Sequence, residues 1–147
     1  MRFNLVFLKI YITEIMSKLY VPNEILRVFK EYYPDVNLND VEWGWEVPAK
    51  IYEASFDNGE VEFEVEIRVT GHVLLSEVSM ELEDVPPIVI NSANQVFEDH
   101  SIEEADMIQY SNGDISYELA MKCASSGEEF EAHFRDDGMF LAKGYDL

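Results

Sequence analysis

Four glutamates, Glu60, Glu62, Glu64 and Glu66, alternate with Val61, Phe63, Val65 and Ile67. Strict alternation of this kind predicts a β-strand with one apolar and one charged side. The four carboxylates then share a face, neighbours roughly 7 Å apart along the strand. That spacing is too wide for two carboxyls to share a proton, and surrounding water keeps them ionised. The chemistry open to such a ladder is electrostatic: docking of a basic partner. Its plainer reading is a charged side that keeps a β-rich chain from aggregating. Trp43 and Trp45 share a parity across Gly44. They are core residues if buried and an aromatic recognition patch if exposed.

Other groups that could do chemistry do not converge in the sequence. His72, His100 and His133 are far apart, and none stands at metal-ligand spacing. His72 falls in a turn and His133 on the outward side of a strand, so both read as solvated. Asp136-Asp137-Gly138 looks like a fragment of a calcium loop, but the further oxygen ligands and closing Glu are missing, and a hairpin turn explains it. Cys123 is the only cysteine, which excludes an intramolecular disulfide. Inside an apolar alternation it reads as a small buried hydrophobe. No Gly-rich phosphate loop, Ser/His/Asp set or Cys/His pair is found. The residues therefore point to a non-enzymatic chain with no cofactor and no metal site.

Charge narrows the partners. The 147 residues carry a formal net charge of −20. Residues 1–19 hold Arg2, Lys9 and Lys18 against Glu14, a net of +2, whereas residues 20–83 and 84–147 each carry −11. Binding to nucleic-acid phosphates needs clustered Lys and Arg, so nucleic acid is disfavoured. The partners this charge leaves are basic proteins, cations, or none at all. The apolar run in residues 3–12 hints at an export signal, but Lys9 interrupts it and no small-x-small cleavage site precedes Tyr20. It is also too short to span a bilayer, so no stable membrane insertion is expected. Residues 1–19 read as an N-terminal leader or extra segment, with Met16 a possible alternative start, and the compartment stays open.

The elements that must position these residues follow in order. Pro22 opens a helix in which Ile25, Val28, Phe29 and Tyr32 share one side, and Tyr33 before Pro34 ends it. Val41 to Val47, Tyr52 to Phe56, Val61 to Val69 and Leu74 to Leu82 follow as strands, with a tight turn at Asp57-Asn58-Gly59. Pro86-Pro87 opens a second helix with Val89, Ala93, Val96 and Phe97 inward. Strands follow at Asp106 to Tyr110, Ile115 to Cys123, Phe130 to Phe134 and Met139 to Ala142. Ile25 matches Val89, Phe29 matches Ala93, Tyr32 matches Val96 and Val41 matches Ala105, all at an offset of 64. The expected fold is α+β: tandem α-β-β-β-β repeats, residues 20–83 and 84–147, forming one compact domain. Its antiparallel sheet has about eight strands, with both helices on one face.

Across residues 20–143 the chain resembles the PepSY-like proteins, whose fold is related to the β-lactamase-inhibitory protein. The resemblance rests on Val21-Pro22 and the helix to Tyr32-Tyr33-Pro34, on Val41-Glu42-Trp43, and on Tyr52-Glu53-Ala54-Ser55-Phe56 with the turn at Gly71. A second set comprises Val85-Pro86, Tyr117-Glu118-Leu119 and Phe134-Arg135-Asp136-Asp137-Gly138. The resemblance implies helices on one face of an antiparallel sheet and an extracytoplasmic binding or inhibitory role. The chain departs from the pattern in its poor export signal and in Asn91, Ser92 and Asn94 within the second helix.

Two functions are consistent with these residues. One is an inhibitor-like binding module that presents Glu60, Glu62, Glu64 and Glu66, with Trp43 and Trp45, to a basic protein. The other is a cytoplasmic acidic antagonist of the immunity type, which neutralises a basic toxin or enzyme by charge.

Overall fold

The structure, a computed structural model, describes residues 19–144. The expected N-terminal segment lies outside the described residues except for Leu19, which packs at the rim of the core.

The first helix, α1 (Asn23–Tyr32), starts after Pro22, whose carbonyl accepts from the amide of Ile25 at 3.0 Å. It ends at Tyr33, which leaves helical geometry ahead of Pro34. Lys30 Nζ donates to the carbonyls of Pro34 (2.6 Å) and Val36 (2.7 Å), satisfying acceptors in the chain beyond the helix. Four strands follow, β1 (Glu42–Val47), β2 (Ile51–Asn58), β3 (Val61–Arg68) and β4 (Val73–Met80). Helix α2 (Pro87–Val96) has Pro87 in its first turn, where a missing N–H costs nothing. It leads into β5 (His100–Tyr110), β6 (Ile115–Cys123), β7 (Glu129–Arg135) and β8 (Phe140–Gly144).

All eight strands form one antiparallel meander in the order β1 to β8. The period-2 alternation sends one set of side chains toward the helices and the other to the opposite, open face. Two groups of buried residues lie on the helix side. Ile25 and Phe29 pack on Ala54, Phe56, Val65 and Ile67. Val89 and Ala93 pack on Leu119, Met121, Ala132 and Phe134. Phe29 is fully buried, its ring 5.2–5.5 Å from those of Tyr33, Trp43 and Phe56.

This architecture corrects the expected fold class. The described chain is largely β rather than α+β, because two ten-residue helices do not form a layer comparable to eight strands. The described elements run α-β-β-β-β twice within one sheet, and a tandem repeat is not shown by it. β4 and β5, which flank the expected boundary at residues 83 and 84, pair from Leu75↔Tyr110 through Met80↔Ala105, so the hydrogen-bonded ladder runs unbroken across it. Matching strands also differ in length: β1 has six residues and β5 eleven. The shared offset of 64 is a recurrence of apolar and proline positions within one continuous sheet.

Several inward assignments also change. Tyr32 and Val96 are exposed; Tyr33 packs inward in place of Tyr32, while Phe97 packs inward as expected. Tyr33 and Phe97 are helix caps with extended φ, near −125°, which swings the side chain back toward the sheet. At a bulge in β4, Val73 takes the core position expected of Leu74, and Leu75 emerges on the open face.

Candidate functional site

The open face carries a carboxylate on every strand from β1 to β7. Glu46 comes from β1 and Glu53 from β2, with Glu62, Glu64 and Glu66 from β3. Glu77, Asp106, Glu118 and Glu131 continue the row on β4 to β7. Together with Leu75 they line a trough of about 450 Å³ that contains no Lys or Arg. The polar parity of each strand places them there: once Ala54, Val65, Leu119 and Ala132 turn to the core, their neighbours must face out.

The strand register sets like charges opposite one another. Asp57 faces Glu62 and Glu53 faces Glu66 across β2 and β3. Glu64 faces Glu77 across β3 and β4, and Asp106 faces Glu118 across β5 and β6. Each such pairing is unfavourable by itself. Burial and the neighbouring carboxylates push Glu77 up to about 8, the charges being those of Glu118, Glu64 and Asp106. Burial, then Glu46, Glu53 and Glu64, raises Glu66 to about 7. Burial, then Glu131 and Asp106, raises Glu118 to about 7. Glu53 and Asp106 shift upward for the same reasons. At neutral pH part of this face is therefore protonated. The spacing along β3 suggests the opposite, full ionisation, because the close approaches run across strands rather than along one.

The residues singled out in the sequence are divided by the fold. Glu62, Glu64 and Glu66 reach the trough, whereas Glu60 lies in the β2–β3 turn and lines a separate depression with Glu81 and Glu83. Trp43 and Trp45 are on the helix side, away from the glutamates. Trp43 is half-buried beside Phe29, and Trp45, 37% exposed, stacks on Tyr52 with centroids 4.3 Å apart.

His133 is outward, as its parity requires, yet it is not a solvated surface histidine. It is half-buried, with Nε2 3.3 Å from Glu118 Oε2, and burial holds its imidazole below the usual range. His72 is exposed in its turn. His100 packs between the rings of Phe97 and Phe130, on the helix side. Cys123 is half-buried at the end of β6 rather than in the core, and its Sγ lies 3.3 Å from Ser125 Oγ. Asp136-Asp137-Gly138 forms a hairpin turn, in which Asp137 bonds Arg135 and accepts from the amide of Met139. Among the described residues no helix is long and apolar enough to cross a membrane.

No family model and no curated protein matches the sequence. Solved structures do match in shape. A DUF2874 family protein from Bacteroides uniformis aligns with a TM-score of 0.74 at 15% identity, over 84% of this chain and 88% of that one. A DUF2874 family protein from Bacteroides ovatus gives 0.73 at 16%, over 86% and 88%. A BLIP-like protein from Bacteroides fragilis gives 0.68 at 16%, over 88% and 89%. The chain shares its fold with DUF2874 and BLIP-like proteins, and no PepSY relationship emerges beside it.

Proposed function

We propose that the chain is a non-enzymatic, inhibitor-like binding module whose open face docks a basic protein. The carrying observation is the set of three like-charge pairs that face one another across the strands within the trough, Glu53 with Glu66, Glu64 with Glu77 and Asp106 with Glu118. Solubility is served by acids scattered over a surface. Stacking them opposite each other in a half-buried trough costs stability, and rules of local stability are broken most often where a site is built. A basic partner relieves that cost on binding, which gives the interface both its attraction and its salt dependence. The BLIP-like name of one structural neighbour supports a protein-binding role.

Immobilised chain and a variant carrying Glu53→Gln, Glu66→Gln and Glu77→Gln would be exposed to the same cell extract and eluted with salt. The expected result is a basic protein retained by the natural chain, released at 1 M salt, where the screening length is about 3 Å, and lost in the variant. An identical retained set for both, or no basic protein from the natural chain, overturns the reading. The retained protein then separates an inhibitor of an enzyme from an antagonist of a toxin.

A further inference from the structure

The β6–β7 end of the trough differs from the rest in holding an imidazole. Glu118 and His133 are direct register partners. Glu131 precedes His133 by two residues on β7, so it stands on the same outward side. Donor atoms of all three lie within 4.8 Å of one another, and all three side chains are half-buried. Glu118 and His133 already face each other as a pair, and Glu131 brings a second carboxylate to the same imidazole, repelling Glu118 while attracting a protonated His133. Three converging donors, one nitrogen and two oxygens, held by two hydrogen-bonded strands, match the ligand chemistry of a divalent metal. The imidazole discriminates among metals: calcium and magnesium prefer all-oxygen shells, and first-row transition ions accept nitrogen with carboxylate. Ligand bonds of about 2.0–2.2 Å place tetrahedral donors roughly 3.3–3.6 Å apart, the separation at which Glu118 Oε2 and His133 Nε2 already stand (3.3 Å), and rotation about the Glu131 χ angles adjusts the third donor.

We propose that Glu118, Glu131 and His133 bind one divalent first-row transition ion, each through a single donor atom. The remaining coordination positions face the trough and are open to water or to a side chain of a docked protein. The site does not depend on the docking proposal, since it requires no partner.

Calorimetric titration with zinc tests it, using full chain in which Cys123→Ser removes the thiol. One zinc per chain is expected, weakened about tenfold or more by His133→Ala and by Glu131→Gln. Calcium should bind at least about tenfold more weakly and be indifferent to His133→Ala. Melting curves without metal verify that each variant is folded. In the unsubstituted background, zinc should also shift the imidazole 15N resonances of His133, and not those of His72 or His100. Zinc affinity unchanged by His133→Ala, non-saturating uptake of several ions, or calcium binding equal to zinc each overturns the site.

Discussion

Glu64 and Glu77 stand directly opposite each other across β3 and β4, two carboxyls facing one another on the open side of the sheet. Facing carboxyls repel when both are ionised, which favours a proton on one of them. Burial is the larger reason that Glu77 is raised to about 8, and the charges of Glu118, Glu64 and Asp106 add to it.

A stability profile follows with a definite sign. The folded chain keeps a proton on Glu77 that the unfolded chain releases near 4.5. The contribution of this group is complete below pH 4.5 and is lost as pH rises through about 8. Glu66, raised to about 7, acts in the same direction. Urea denaturation should give higher stability at pH 5.5 than at pH 8.5. Glu77→Gln should recover on the order of 1–2 kcal/mol at pH 8.5, a discounted figure because water still reaches the group. A chain most stable near pH 8.5, or a glutamine variant with an unchanged profile, would show that the trough carboxyls ionise freely.

The trough was legible in the sequence one strand at a time and not as a whole. The ladder at Glu62, Glu64 and Glu66 stands out because one strand repeats it. Glu46, Glu53, Glu77, Asp106, Glu118 and Glu131 appear singly on six other strands. Each has the outward parity of its strand, so its face could be read, but its register against the next strand could not. That register is what brings Glu53 to Glu66 and Glu118 to His133. Helix and strand positions were readable because proline, Asn-Gly and apolar period are local signals. The single sheet of about eight strands was readable too, but the register that pairs β4 with β5 is a long-range pairing that no local signal carries.

The inward set of α1 can be checked by paired substitutions. Phe29 is fully buried among three aromatic rings, whereas Tyr32 is 60% exposed. Phe29→Ala should cost about 3–5 kcal/mol, since the cavity lies under a helix held by the sheet. Tyr32→Ala should stay within about 0.5 kcal/mol. Comparable losses in chemical denaturation would return Tyr32 to the core and contradict the helix orientation.

The turn between β7 and β8 is clamped onto α2, and a glycine makes the clamp possible. Gly138 has φ +87°, and a Cβ there would stand 2.9 Å from the Ile88 carbonyl oxygen and 3.1 Å from Ile88 Cγ1. Ser92 Oγ donates to the Gly138 carbonyl at 2.5 Å, so helix and turn are joined on both sides of this approach. Gly71 has a similar φ of +89°, but its nearest neighbour would be Val28 Cγ2 at 3.7 Å, an ordinary contact. Alanine at position 71 therefore meets backbone strain alone, about 1–2 kcal/mol. Alanine at position 138 meets that strain and a helix carbonyl that cannot rotate away, for a total of about 2–4 kcal/mol. Ser92→Ala should cost about 1 kcal/mol in the natural chain and less beside Gly138→Ala, because the turn has already been displaced. Denaturation of the three single variants and the Ser92/Gly138 double variant measures both differences. Equal costs at positions 71 and 138, with additive Ser92 and Gly138 effects, would mean that the turn only rests against α2 and is not held by it.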